Sequence, residues 1–268
     1  MDYIESILLG IVQGLTEFLP ISSSGHLEIF KEIFFNINNL SEEENILFTI
    51  VLHTATAFST IFFFRKDLWK IISGLFDKKY NESHNFSISI IISMIPAVFV
   101  GLFFKETINS FFDGNLILVG SMLYITALLL FLSDFLKLKQ NEIGFKNSFL
   151  IGLAQAIAIL PGISRSGATI ASAVIMGIDR EKAARFSFIM VIPVILGSMA
   201  KSLLDHGLSF ENFDIISLLL GFISAFITGL FACKWMILLV KKSKLYYFSI
   251  YCCIIGSIII FYSLNNGL

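Results

Sequence analysis

The chain has 268 residues, 56% of them hydrophobic, with a mean hydropathy of +0.84. A soluble domain of this size has too little interior to hide so much apolar surface, so the composition predicts an integral membrane protein. The net charge of −1 excludes a global basic field, and nucleic acid is not an expected partner.

The first apolar stretch, residues 6–16, is too short to cross a bilayer, which takes about 20 apolar residues. It ends at Glu17 and Pro20, and a Ser/Gly loop at 21–25 leads into a second short helix reaching about Phe35. Short helix, polar loop, short helix is the pattern of a re-entrant hairpin, whose irregular backbone must be surrounded by protein or a wet cavity. Asp2 and Glu5 replace the basic start of a cleaved signal peptide, so none is expected. Three spans follow a polar connection at 36–44, at 46–64, 86–104 and about 115–136. The first holds His53, for which a polar packing role weighs at least as much as a site role. A second short helix at about 148–160 precedes a loop at 161–168 and a return helix ending near Gly177. Three more spans occupy about 183–204, 214–240 and 245–264. Pro96 and Pro193 predict kinks. Cys233, Cys252 and Cys253 lie in apolar runs without metal-ligand spacing, so neither a disulfide framework nor a metal site is expected of them.

The two hairpins repeat one another. Residues 8–27, LLGIVQGLTEFLPISSSGHL, overlay 150–169, LIGLAQAIAILPGISRSGAT, without gaps and coincide at seven of twenty positions, Gln13/Gln155 and Ser22/Ser164 among them. A second match joins 95–103 to 223–231 at five of nine positions. Each repeat, about 1–136 and 146–268, is one hairpin plus three spans, so the second copy must be inverted. Inverted repeats place their sites near the midplane. The basic connections 65–85, 137–147, 179–185 and 241–244 then share one side, and 36–45, 105–114 and 205–213 the other. By the positive-inside rule the basic side is cytoplasmic and both termini are outside.

The chemistry concentrates in the hairpin loops. In PGISRSGAT, 161–169, Gly162 and Gly167 let backbone amides converge on an anion, and the return helix points its N-terminus at the same spot. Arg165 supplies a guanidinium fork for phosphate oxygens, with Ser164, Ser166 and Thr169 as hydroxyl donors. In isolation such a loop is most simply a capped helix start, but an arginine at a re-entrant tip inside a membrane is expensive and points to function. Gln13 and Glu17 share a helix face, and Glu17 precedes the loop carrying Ser22, Ser23, Ser24 and His26. Ser23 is a candidate nucleophile and His26 a candidate proton carrier within reach of it. Glu17 is a candidate base, His-orienting group or divalent-cation ligand. Glu28 and Asp134 carry no assignment, and His84 and His206 fall in connections.

The segment QGLTEFLPISSSGH, 13–26, together with PGISRSGAT, resembles the undecaprenyl-diphosphate phosphatase family, also called bacitracin-resistance proteins, over essentially the full length. The first motif has Gln13 where many members have glutamate, which favours an orienting or substrate-contact role there. The resemblance implies hydrolysis of undecaprenyl diphosphate to undecaprenyl phosphate and inorganic phosphate, with Mg²⁺ or Ca²⁺ as cofactor. It implies Ser23 as nucleophile, Arg165 as diphosphate clamp, Glu17 as metal or base group and His26 as acid/base partner. Gln13, Ser22, Ser24, Ser164, Ser166, Gly167 and Thr169 would line the pocket. It further implies residence in the bacterial plasma membrane with the site open outward, a polyprenyl diphosphate and membrane lipid as partners, and a homodimer as one oligomeric option. The competing reading is a transporter or flippase of polyprenyl phosphate lipids, which would need no nucleophile–base pair; a structural scaffold would not keep so many polar groups at hairpin tips.

Overall fold

The computed structural model describes residues 2–35, 42–104, 107–108, 111, 115–135, 141–206, 214–242 and 245–266. Most of the acidic or neutral connections expected at 36–45, 105–114 and 205–213 lies outside them. Among the described residues the protein is all helical, and six helices are long and apolar enough to cross a membrane. It is a multi-pass membrane protein.

Helix α1, Tyr3–Phe18, starts at a capping box: the Asp2 carboxylate takes the Tyr3 amide at 2.6 Å and the Glu5 carboxylate takes the Asp2 amide at 2.9 Å. It stops where Leu19 turns extended ahead of Pro20. Helix α2, Ser23–Phe30, continues into a π-helical turn at Lys31–Phe35. Lys31 Nζ ties that turn to the next helix by donating to Asn45 Oδ1 at 2.6 Å and Thr49 Oγ1 at 3.1 Å. Then come α3, Glu42–Phe63; α4, Arg65–Leu75; α5, Glu82–Phe103; and α6, Leu116–Phe135. The second hairpin is α7, Phe145–Ile157, and α8, Arg165–Ile175. The last three are α9, Arg180–His206; α10, Ile215–Lys242; and α11, Tyr246–Asn266. Pro96 and Pro193 sit inside α5 and α9.

Helix α4 was not expected. The stretch 65–85 reads as a basic connection, yet eleven of its residues form a helix whose large apolar side chains, Trp69 and Ile72, are exposed, as is Phe76 just beyond it. Its charged residues break up the apolar run by which spans are found, so only the helical spacing of 69, 72 and 76 carries the signal.

The packing crosses between the halves. Helix α1 lies along α10, α7 along α5, α6 along α11, and α3 against α9. Small residues set the first two contacts. A Cβ on Gly10 would fall 2.5 Å from the Gly221 carbonyl oxygen, and one on Gly152 would fall 2.4 Å from the Ser93 carbonyl oxygen. Close backbone approach of this kind is how helices associate in lipid, where no hydrophobic force separates helix from solvent.

One end of the bundle is stitched by ion pairs. Arg180 Nη2 donates to Asp134 Oδ1 at 2.6 Å, while Asp134 Oδ2 takes the Tyr246 amide at 2.8 Å. Arg185 reaches Asp67 at 2.5 Å and Lys241 reaches Glu181 at 2.9 Å. Asn141 donates from its backbone amide to the Gly177 carbonyl at 3.0 Å. The described parts of the four basic connections read from the sequence therefore meet at one end; Lys137, Lys139 and Lys244 lie outside the described residues. Along the spans many outward side chains are large and apolar, Phe99, Phe131, Phe231 and Phe261 among them, as a hydrocarbon environment requires.

The α1–α10 contact yields a stability prediction. A Cβ on Gly14 would lie 1.9 Å from Thr228 Oγ1 and 2.7 Å from the Ala225 carbonyl oxygen. Gly14→Val should cost about 1–3 kcal/mol by overpacking. This is measured as a lowered unfolding temperature in detergent, with Gly101→Val, which has open space around it, as the tolerated control.

Candidate active site

The two loops are built alike. Ser22 caps α2 by accepting the Gly25 amide on its Oγ at 3.2 Å, and Ser164 caps α8 by accepting the Gly167 amide at 3.0 Å. The first-turn amides of both helices have no acceptor within their own helix. Gly162 holds a φ of +92°, where a Cβ would fall 2.4 Å from the Val119 carbonyl oxygen, so both its conformation and its space require glycine. Thr126 on α6 clamps this loop, donating to the Gly162 carbonyl at 3.2 Å and accepting the Ser164 amide at 2.9 Å.

The tips touch. Ser166 Oγ donates to the Leu19 carbonyl at 3.1 Å, and Arg165 reaches across to the Glu17 carboxylate through its Nη2 and Oε1. The Glu17 side chain is 3% exposed and that of Arg165 is 24% exposed. The other Glu17 oxygen, Oε2, accepts Ser23 Oγ at 2.8 Å and Gln13 Nε2 at 2.9 Å. Gln13 Nε2 also lies 3.0 Å from His53 Nδ1, which stands 3.5 Å from Glu17 Oε2. Glu17 is the hub of Gln13, Ser23, His53 and Arg165.

The other expected residues have structural partners. His26 Nδ1 lies 2.7 Å from the Ser22 carbonyl oxygen and Nε2 lies 2.9 Å from the Tyr251 hydroxyl, with the two rings stacked. A carbonyl oxygen only accepts, so Nδ1 carries a proton, and Nε2 of a neutral ring accepts from Tyr251. The hydroxyl of Ser23 is therefore joined to Glu17 rather than to His26. Thr169 Oγ1 donates to the Arg165 carbonyl at 2.8 Å and lies 2.7 Å from Ser187 Oγ, while Ser164 Oγ lies 3.2 Å from Ser166 Oγ. These three hydroxyls are buried stitches that hold the loop. Ser24 Oγ lies 3.4 Å from Ser22 Oγ and Ser24 faces the cavity described next.

A cavity of 580 Å³ opens beside the loops. Ser23, Ser24, His53, Gln155, Arg165, Ser198 and Lys201 are its polar lining, and Met94, Val98, Leu102, Ile159 and Ile163 belong to its apolar walls. Its lining takes the later turns of α5 and α9, so it belongs to the half of the bundle away from the ion-paired end. The sequence left His53 between packing and a site role, and the structure sets it against Gln13 and Glu17; Tyr251, hydrogen-bonded to His26, was not singled out. A histidine in mid-span is a signal for the first; nothing local distinguishes Tyr251 from the other tyrosines of α11.

The family model described as bacitracin resistance protein BacA matches residues 6–258. The chain belongs to this family. Relatives named undecaprenyl-diphosphatase span nearly the whole of both chains. The one from Christiangramia forsetii is 56% identical over 96% of this chain and 96% of its own. That of Bacteroides fragilis is 48% identical over 97% and 98%. That of Methanobrevibacter smithii is 37% identical over 99% of each. For a BacA-family member, then, the acidic and arginine motifs of the two loops meet in one ion pair.

That pair should be energetically coupled. In a double-mutant cycle of Glu17→Gln and Arg165→Met, read by thermal unfolding in detergent, the coupling should fall at about 1–3 kcal/mol, the upper range for contacting residues. Each single variant should be less stable than the double relative to additivity, since each leaves one charge without its partner.

Proposed function

We propose that the protein hydrolyses undecaprenyl diphosphate to undecaprenyl phosphate and inorganic phosphate. The activity returns the lipid carrier to cell-wall synthesis and confers bacitracin resistance by consuming the diphosphate that the drug captures. The observation that carries this reading is the cavity itself. An arginine and a serine hydroxyl line it together, the buried Glu17 carboxylate is bonded to both from behind, and its walls are apolar enough for a prenyl chain. The names of the full-length relatives support the same reaction.

The chemistry follows from the contacts of Glu17. At rest Arg165 is held by Glu17. An entering diphosphate, more highly charged than a carboxylate, draws the guanidinium onto its terminal phosphate oxygens. Glu17 is then released to accept the proton of Ser23, already hydrogen-bonded to it at 2.8 Å. Ser23 Oγ attacks the terminal phosphorus. The bond from that phosphorus to the bridging oxygen breaks, and the electron pair leaves with undecaprenyl phosphate. Water then cleaves the phosphoserine. Direct attack by water, with Glu17 as its base, uses the same clamp and differs only in forming no phosphoserine. Arg165 and the first-turn amides of α2 and α8 face the charge that develops on the transferred phosphoryl group. His26, tied to Tyr251 and to the Ser22 carbonyl, holds the nucleophile loop in place. Ser22, Ser24, Gln13 and Gly167 shape the pocket, and Ser164, Ser166 and Thr169 keep the clamp rigid.

A divalent cation belongs to this proposal. Among the described residues no group of three or more His, Cys, Asp or Glu side chains converges. Glu17 is the carboxylate at the loops, and once Arg165 leaves it for the substrate its freed Oε1 would hold such an ion together with phosphate oxygens, the usual manner of Mg²⁺. Such an ion, Mg²⁺ or Ca²⁺, would neutralise phosphoryl charge.

The placement in the membrane is part of the same reading. The two halves form an inverted repeat with re-entrant hairpins. In support, Gly10 lies on Gly221 and Gly152 on Ser93, and these are matching positions of the two sequence repeats. The ion-paired basic end faces the cytoplasm of a bacterial plasma membrane, both termini lie outside, and the cavity opens outward. A homodimer is compatible with this arrangement.

Phosphate release by the detergent-purified protein, given undecaprenyl diphosphate and Mg²⁺, tests the reaction. Ser23→Ala, Glu17→Gln and Arg165→Ala should each lose about 10²–10⁴-fold in kcat, the range for general-base and charge-stabilising groups. Undiminished release from all three would sink the proposal. Chelation should abolish release and added Mg²⁺ restore it. Tyr251→Phe should cost about tenfold, because it removes one hydrogen bond worth up to about 1.5 kcal/mol from a supporting side chain.

A further inference from the structure

Gln155 is the repeat mate of Gln13, but the two side chains have different fates. Gln13 Nε2 donates to Glu17 four residues on, at 2.9 Å. Four residues after Gln155 the repeat carries Ile159, so the carboxylate partner is missing. Gln155 is 1% exposed, and neither its Oε1 nor its Nε2 has a hydrogen-bond partner. Burying an amide without partners is destabilising, and a sequence free to change would place leucine or methionine there. Gln155 and Ile159 stand together on the wall of the cavity that Ser23 and Arg165 also line.

We propose that the Gln155 amide binds the phosphate that stays on the lipid. This inference rests on the phosphatase reading above. Arg165 and the loop amides grip the terminal phosphate, and the only other polar part of a polyprenyl diphosphate is the phosphate joined to the prenyl chain. That group must lie within the same cavity, on the prenyl side of the terminal phosphate, and Gln155 lines that cavity beside the apolar Ile159. A neutral amide donor suits it well: Nε2 hydrogen-bonds a non-bridging oxygen without trapping the lipid phosphate as a second arginine would. The same bond supports the negative charge that the departing undecaprenyl phosphate acquires. Gln13 and Gln155 thus divide the labour of one ancestral position, the first orienting the base and the second receiving the leaving group.

Inhibition by the two products separates the two phosphate positions. Undecaprenyl phosphate and inorganic phosphate are each titrated against wild type, Gln155→Met and Gln155→Glu, and unfolding temperatures are recorded alongside. Gln155→Met should raise the inhibition constant of undecaprenyl phosphate about tenfold, the loss of one hydrogen bond to a charged group. It should leave that of inorganic phosphate within about twofold and leave the unfolding temperature equal or higher, because the unpartnered amide is gone. Gln155→Glu, with the same reach, should weaken undecaprenyl phosphate further by repulsion. An unchanged constant for undecaprenyl phosphate in both variants overturns the proposal. So does an equal weakening of both products with a lowered unfolding temperature, which marks a structural side chain. Failure of wild type to release phosphate would sink the functional reading instead; direct binding of undecaprenyl phosphate to wild type and Gln155→Met would still decide the role of Gln155.

Discussion

The ion pair between Glu17 and Arg165 is the contact on which the site depends. Each residue stands beside a break in a helical hairpin, and the two loops touch. The Ser166–Leu19 hydrogen bond and the capping serines on both sides hold the tips close enough for the pair to form. A lone arginine or glutamate at such depth would carry a large solvation penalty; together, with Gln13 and Ser23 completing the shell, they are tolerable and poised.

The sequence disclosed the frame well and the chemistry in part. Hairpins and spans were legible because lipid demands long apolar runs, and every interruption of such a run stands out. The basic connections were legible because charge asymmetry is a sum over many residues, insensitive to any one of them. Partner choice inside the site was harder. Ser23 and His26 are three apart in an SxxH pattern that invites a hydrogen bond, yet Glu17 holds the serine. The turn at Pro20 and Ile21, with Ser22 at a φ of 72°, folds the helix end back over the loop, and no spacing rule encodes that. The motif hydroxyls Ser164, Ser166 and Thr169 look like ligand donors in one dimension and prove to be the stitching of the loop. His53 stood out as a mid-span histidine without a partner to assign it, and Tyr251 comes from a helix remote in sequence, so only the three-dimensional contacts place them. Helix α4 hid inside a charged stretch.

Divergence between the repeats now has a physical pattern. Positions that govern backbone approach match: Gly10 with Gly152, and Gly25 with Gly167. Positions that carry the charged and polar groups of the loops differ: Ser23 corresponds to Arg165, Glu17 to Ile159, and His26 to Ala168. The scaffold needs symmetry because both halves meet along one kind of contact. A phosphoryl transfer needs the opposite, an attacking side and a stabilising side.

The crossed packing of the halves bears on how the chain is assembled. Helix α1 emerges first, yet its main neighbour, α10, is almost the last element made, and α5 likewise waits for α7. Short apolar helices ending in a buried carboxylate cannot rest comfortably alone in lipid, so the first hairpin must be sheltered or held at the surface through most of synthesis. Contacts this distant along the chain make for slow, late closure. Each half lacks its main helix partners until the other is made, and the contact of α1 with α10 is among the last that biogenesis can form.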